Sequence, residues 1–232
     1  MQSDAIDFAE HPLVFTHIPK TAGTTINHVL RDDFAGRNLL HIQRVEPEIL
    51  DAGLADRSIH AFGGHLTYVN LSAAFAEKGR RPLYVTVLRD PIDRILSAYS
   101  YAKVGPPQRR WHDLANQHDI NGFIATMAES HEHFLEGRQC RFVGAVRGAD
   151  ADQALASLQN NYAVVGLQED MDGFMDRLED CLRMSLTRYR PRNRSKARTT
   201  AEALDGNSLR ILERTTEQDR KLYEAVSAWL KG

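Results

Sequence analysis

The feature that most constrains the fold is a short apolar strand that runs through a turn of small residues into an amphipathic helix. Residues 13–18, with the sequence LVFTHI, form an apolar run typical of a buried strand. A glycine-containing turn follows Pro19, and from Thr24 to about Phe34 apolar residues recur at helical spacing. A strand followed by a helix is half of the crossover unit that joins parallel strands, so the pattern predicts a parallel sheet.

Strand and helix patterns of the same kind follow one another along the rest of the chain. Their alternation predicts an α/β fold with a mainly parallel central sheet flanked by helices. Residues 103–118 and the basic stretch 188–200 are predicted to be irregular. The remaining predicted strands are residues 58–63, 82–88 and 162–167, and the remaining predicted helices are residues 70–78, 91 onward, 120–130, 152–160, 171–183, 208–214 and 217–230.

Charge and composition exclude several classes of protein. The chain of 232 residues has 29 Lys and Arg against 31 Asp and Glu, a formal net charge of −2, which argues against a nucleic-acid partner held by phosphate contacts. It contains no apolar run of about 18–20 residues and no basic, apolar leader, so we expect a cytoplasmic protein without a membrane span. Cys140 and Cys181 need no disulfide framework, and the group His131, His133 and Cys140 lacks the spacing of a zinc site, so no metal is expected.

The end of the first strand carries the pattern of an anion-binding turn. Residues 17–25, HIPKTAGTT, place small residues and exposed backbone N–H groups at a helix N-terminus, where the helix dipole favours an anion by about 0.3–1 kcal/mol. Lys20 adds a full positive charge. Because Pro19 precedes Lys20 and Gly23 follows it, the turn is not a Walker A loop, and an ordinary turn with a solvated lysine is the alternative. Three hydroxyl donors complete the turn: Thr21, Thr24 and Thr25.

The strand at residues 82–88 ends in a second candidate anion site, with the sequence RDPIDRILSAY. Arg89 lies at the strand end, where ligands bind in parallel sheets. Arg94 and Ser97 are three residues apart on the following helix and can share a face, and a guanidinium with a hydroxyl suits a phosphate monoester. For Arg94, a solvated position on the outer face of the helix is the alternative.

Together, HIPKTAGTT and VLRDPIDRILSAY resemble the paired signatures of sulfotransferases that use 3′-phosphoadenosine 5′-phosphosulfate (PAPS). The two motifs stand in the family's order, about 70 residues apart, and the resemblance extends from about Val14 to Tyr223. It is strongest to the carbohydrate branch that includes heparan sulfate 2-O-sulfotransferase. The resemblance implies a P-loop-like three-layer fold, a single domain over residues 1–232 that is helical from about residue 170, a soluble bacterial enzyme, PAPS as sulfate donor and a hydroxyl acceptor on a saccharide.

The resemblance also assigns residues to the nucleotide. Lys20 contacts the phosphosulfate, Arg89 and Ser97 hold the 3′-phosphate, and the late basic loop at residues 193–198 closes over the nucleotide, unless it is a solvated linker. The implied nucleotide-binding residues are Pro19, Lys20, Thr21, Ala22, Gly23, Thr24, Thr25, Arg89, Ser97, Ser195 and Arg198.

A histidine after the second predicted strand is the implied catalytic base. Gly63, Gly64 and His65 resemble the family's Gly-His segment, and Gly63 stands where some members have a further histidine, so His65 is the single candidate. In this hypothesis His65 removes the acceptor proton and Lys20 neutralises charge on the leaving oxygen. The next candidates for the base are His17 and Glu169.

Two other functions fit the same motifs. One is a nucleotide or small-molecule kinase with an atypical phosphate loop, in which Thr21 and Asp90 would hold Mg²⁺. The other is a non-catalytic module that binds PAPS or its product, 3′-phosphoadenosine 5′-phosphate (PAP). Three aromatic side chains are candidates for contacting an acceptor: Tyr68, Trp111 and His112.

Overall fold

One parallel sheet forms the centre of the part of the chain that the structure describes. The structure is a computed structural model that describes residues 6–34, 39–42, 47–187 and 199–232. Within these ranges the strands are β1 (Leu13–Thr16), β2 (Leu39–Ile42), β3 (Ala61–Gly64), β4 (Leu83–Leu88) and β5 (Tyr162–Leu167). Their order in the sheet is β2-β3-β1-β4-β5, and each pairing is parallel. The prediction of an α/β fold with a parallel central sheet is confirmed.

Helices cover both faces of the sheet. Within the described ranges they are α1 (Gly23–Phe34), α2 (Pro47–Ala55), α3 (Tyr68–Glu77), α4 (Pro91–Lys103), α5 (His112–Gln117), α6 (Ile120–Ser130), α7 (Glu132–Leu135), α8 (Arg138–Val143), α9 (Ala151–Asn161), α10 (Met171–Leu182), α11 (Gly206–Thr215) and α12 (Glu217–Trp229).

The alternation of side chains along β1 shows which helices cover each face. Leu13 and Phe15 point to the face covered by α1 and α10, whereas Val14 points to the face covered by α3, α8, α9 and α12. A third cluster of buried residues packs together helices α4, α5, α6, α7 and α11.

Several elements differ from the sequence-based predictions. β2, α2, α7 and α8 were not predicted, and α5 lies inside the stretch predicted as irregular. All five have only four to nine residues, which give too few turns or alternations to show a clear period. The first strand ends at Thr16 rather than at residue 18, because the chain turns where the Ile18 carbonyl accepts the Thr21 hydroxyl. Of the predicted basic stretch, residues 188–198 lie outside the described residues.

The two cysteines are free thiols on opposite faces of the sheet. Cys140 is buried in the core under α8, and Cys181 packs against the core under α1 and α10. Among the helices that the structure describes, none combines the length and the apolar character that a membrane crossing requires.

Candidate active site

A cleft of about 930 Å³ lies beyond the carboxyl ends of β1, β3 and β4. Its lining includes the loop after β1, His65 after β3, Arg89 after β4, and residues 106 and 108–111 between α4 and α5. The two sequence motifs therefore meet in one cavity, at the edge of the sheet where ligands of parallel α/β folds bind.

The charge of this cleft is one-sided. Of the residues described in the structure, those that line the cleft include no Asp or Glu, although the chain as a whole is slightly acidic. Such a concentration of cationic and imidazole groups fits an anionic ligand that carries more than one charge. The basic and histidine residues of the lining are Lys20, Arg31, Arg89, Arg109, Arg110, Arg138, His17, His28, His41 and His65.

The loop after β1 has the backbone of an anion-binding turn. Lys20 and Ala22 both adopt left-handed conformations, with φ of 76° and 64°. Left-handed residues that alternate with ordinary ones turn successive N–H groups to one side, and the first N–H groups of α1 have no acceptor within the helix. Gly23 is required by close approach, because a Cβ at this position would overlap the imidazole ring of His17. Glycine at this position therefore lets the His17 imidazole pack directly against the turn.

The predicted nucleotide-binding residues of this turn do not all face the cleft. Pro19, Ala22 and Gly23 line it, and so do Thr24 and Thr25. Thr21 does not line the cleft. Its side chain is fully buried, and its hydroxyl donates to the Ile18 carbonyl at 2.8 Å, so it stabilises the turn from below.

Helix α1 adds a polar stripe to the cleft that the sequence analysis did not single out. Thr24, Asn27, His28 and Arg31 are spaced by three and four residues and all line the cavity. The spacing itself was a usable signal, since these positions share one helix face and lie opposite the buried apolar face.

Lys20 is held by an aromatic ring. Its ammonium lies 3.6 Å from the centroid of the Tyr101 ring, and the Arg109 guanidinium lies 3.7 Å from the same centroid. Burial, followed by repulsion from Arg89 and Arg109, lowers the pKa of Lys20 to about 8. Tyr101 was not among the predicted site residues, although it follows Ser97 by one helical turn and therefore shares its face of α4.

Arg89 joins the two motifs physically. Its guanidinium donates to the Lys20 carbonyl at 3.1 Å and lies 3.7 Å from the Asp93 carboxylate. Ser97 lines the same cleft two helical turns further along α4. Arg89 therefore links the turn after β1 to the N-terminal part of α4 within one cleft.

Arg94 is not part of the cleft. It is fully buried, donates to the Phe134 carbonyl at 3.4 Å, and is attracted by the buried Asp219 carboxylate. Both sequence-based interpretations of Arg94, a partner of Ser97 on one ligand and a solvated surface residue, are wrong, because α4 turns this position toward α7 and α12.

His65 is fixed in one tautomer. Its Nδ1 lies 2.8 Å from the His17 carbonyl oxygen, which can only accept, so Nδ1 carries the proton and Nε2 carries a lone pair. His65 lines the cleft and keeps part of its surface exposed to it. Partial burial lowers the pKa of His65, the bond to the His17 carbonyl partly offsets this, and Arg138 and Lys20 lower it further. Neutral His65 is therefore the main form at pH 7, and it presents a basic nitrogen.

His17 is the second imidazole of the cleft. Its ring lies 4.2 Å from that of His65 between centroids, and burial, followed by repulsion from His65, lowers its pKa well below the usual value. Glu169, the other candidate base, is not among the lining residues, whereas its neighbour Gln168 is.

The groups of the proposed kinase arrangement are engaged elsewhere. Asp90 caps α4 by accepting from the Asp93 N–H at 2.8 Å, and the Thr21 hydroxyl is bonded to Ile18. Within the described ranges no group of three His, Cys, Asp or Glu side chains could hold a metal ion.

Of the three aromatic candidates for contacting an acceptor, one lines the cleft. Trp111 lines the cleft, whereas His112 and Tyr68 do not, and the Tyr68 ring packs 4.8 Å from that of Tyr84 between centroids. Ser195 and Arg198 lie outside the described residues, so their assignment stays a prediction.

A parallel sheet with a cationic turn and imidazole side chains at its carboxyl edge is typical of proteins that bind phosphate- or sulfate-bearing ligands. The chain belongs to the sulfotransferase family: residues 3–224 match the model described as "Sulfotransferase family".

Relatives of known activity are similar over most of this chain. Heparan sulfate 2-O-sulfotransferase 1 of Mus musculus is 27% identical over an alignment of 222 positions that covers 82% of this chain and 61% of the mouse protein. Heparin sulfate O-sulfotransferase of Drosophila melanogaster is 22% identical over 97% of this chain and 74% of its own length. This chain thus spans about three fifths of the mouse relative.

One solved structure is also similar, with a lower sequence identity. Mouse sulfotransferase SULT7A1 complexed with PAP matches 92% of this chain and 64% of its own, at 15% identity and with a TM-score of 0.47. A likeness of this size supports no statement about the site.

Proposed function

We propose that this chain transfers the sulfuryl group of PAPS to a hydroxyl group of a saccharide. The observation that carries the proposal is that the Lys20 turn, Arg89 and the basic Nε2 of His65 face one cleft without a carboxylate among its described lining residues. Membership of the sulfotransferase family supports the reaction, and the names of the heparan sulfate and heparin sulfate enzymes support a saccharide acceptor.

The residues present fit the nucleotide. The turn from Lys20 to Gly23 and the first N–H groups of α1 would hold the 5′-phosphosulfate, and Arg89 with Ser97 would hold the 3′-phosphate. When bound, PAPS supplies the sulfuryl group and a bisphosphate leaving group. Lys20 stabilises the negative charge that grows on the leaving oxygen, because its ammonium is poorly hydrated and already lies in the turn. His65 Nε2 accepts the proton of the attacking hydroxyl, while Nδ1 remains bonded to His17.

An assay with radiolabelled PAPS tests the proposal. We expect label to move from PAPS to the glycan fraction when glycans, lipids and small metabolites are offered separately. Label in the lipid or metabolite fraction alone would contradict the saccharide acceptor, and PAP binding without transfer to any fraction would support the non-catalytic module. A rise in melting temperature with ATP and Mg²⁺, but not with PAP, would favour the kinase.

The 3′-phosphate assignment predicts a loss of nucleotide selectivity in Arg89→Ala. Removing a charge-assisted hydrogen bond typically costs about 1.5–3 kcal/mol, so the preference for PAP over AMP should fall roughly ten- to a hundredfold. Titration calorimetry with both nucleotides measures this ratio. Arg147→Ala, which changes an exposed arginine outside the cleft, is the matched control. A ratio unchanged in Arg89→Ala would mean that another group binds the 3′-phosphate.

A further inference from the structure

A buried side-chain amide completes the backbone hydrogen bonding of Arg89. Gln139 Nε2 donates to the Arg89 carbonyl at 2.8 Å, and Gln139 Oε1 accepts from the Arg89 N–H at 3.0 Å. β4 has already ended at Leu88, so the Gln139 amide makes the pair of bonds that a neighbouring strand would otherwise make. The Gln139 side chain is fully buried and does not line the cleft, so it is not placed to touch a ligand.

Gln139 is in turn fixed by the last helix of the described chain. The carboxylate of Asp219, on α12, accepts from the Gln139 N–H at 2.9 Å and from the Cys140 N–H at 3.0 Å. Asp219 is fully buried, and Arg94 provides the nearby positive charge. An acidic side chain from α12 thus caps α8 and fixes the helix turn that carries Gln139.

The fixed backbone determines where the Arg89 guanidinium lies. Arg89 spans from the end of β4 to the Lys20 carbonyl, so a shift of its main chain moves the guanidinium relative to the phosphate turn. Displacing a positioning group by about 1 Å can lower the reaction rate by about a hundredfold.

We propose that Gln139 is a positioning residue that sets the selectivity of the cleft for a nucleotide with a 3′-phosphate. It acts through the Arg89 backbone, and the inference rests on the proposed function, in which Arg89 binds that phosphate. A purely structural role for Gln139 would lower stability without changing which nucleotide is preferred.

The test is the ratio of PAP to AMP affinity in Gln139→Met, which keeps the side-chain length and removes both hydrogen bonds. We expect the ratio to fall roughly tenfold, the effect of one misplaced charge-assisted bond, at a temperature well below the melting transition. Gln139→Asn retains the amide but is one methylene too short to reach both Arg89 groups, so it should lower the ratio in the same direction with less loss of stability.

A control separates positioning from general destabilisation. Ser157→Ala removes a buried hydrogen bond of 2.6 Å to the Val143 carbonyl at the other end of α8, and it should lower the melting temperature while leaving the ratio within twofold. An unchanged ratio in folded Gln139→Met and Gln139→Asn would overturn the inference. A wild-type protein that does not prefer PAP to AMP would instead overturn the assignment of the 3′-phosphate site, and with it the role of Gln139.

Discussion

Replacing His65 with asparagine should lower kcat by about 10²–10⁴-fold, the usual contribution of a positioned general base. Asparagine can still donate to the His17 carbonyl, which His65 Nδ1 contacts at 2.8 Å, but it has no basic nitrogen to take the acceptor proton. The affinity for PAP should change little, because His65 faces the acceptor hydroxyl in the proposed mechanism. Turnover at saturating PAPS and acceptor, together with calorimetric PAP binding, measures both quantities.

The pH dependence of the wild-type enzyme adds an independent test of His65. Only neutral His65 can accept a proton, and its pKa is lowered by burial, so kcat should stay high at pH 7 and fall only as the pH drops below about 6.5. His133→Asn, which changes an exposed histidine outside the cleft, should keep the wild-type profile. An unchanged kcat in His65→Asn would move the search for the base to His17.

Replacing Lys20 with methionine should lower kcat by about 10²–10³-fold, the usual effect of removing one group that stabilises transition-state charge. PAPS affinity should also fall, since the ammonium attracts the phosphosulfate before any bond breaks. Lys103→Met is the matched control, because Lys103 also contacts a tyrosine on α4, donating to the Tyr99 hydroxyl at 2.8 Å, but does not line the cleft. Near-normal turnover in a folded Lys20→Met protein would show that Lys20 has no catalytic role.

Lys20 should also set the alkaline limit of kcat/KM. Its pKa of about 8 means that the free enzyme loses this charge as the pH rises through 8. Arginine stays protonated across this range, so Lys20→Arg should move the alkaline limb upward even if its maximal rate is lower. A limb that does not move would assign the ionisation to another group.

The central fold and the positions of both motifs could be predicted from local patterns. The strand and helix around Arg89 give clear signals, because apolar residues fill β4 and Asp90 with Pro91 marks the start of α4. The short elements β2 and α8 lack enough residues to show a period. The prediction of the parallel sheet therefore depended on apolar runs followed by clear helix starts, as at β4 and α4.

The buried residues that hold the Arg89 backbone in place could not be predicted from local patterns. Gln139 meets Arg89 across 50 residues of sequence and Asp219 across 80, and tertiary packing alone brings them together. For Arg94 the helical spacing from Ser97 was correct, but the spacing alone did not show which side of α4 is buried. Tyr101 could have been predicted from local spacing, because it lies on the same face of α4 as Ser97, one helical turn later.

The capping of α8 by Asp219 has a consequence for the order of events during translation. The ribosome releases the Lys20 turn and Arg89 long before it releases α12, and domains fold as their parts emerge. The strands can pair as soon as β5 is available, but α8 has its acidic cap only once α12 has docked. A nascent chain that has not yet released α12 would therefore hold both motifs without a fixed Arg89, and in the proposed function high-affinity nucleotide binding should appear only after α12 has docked.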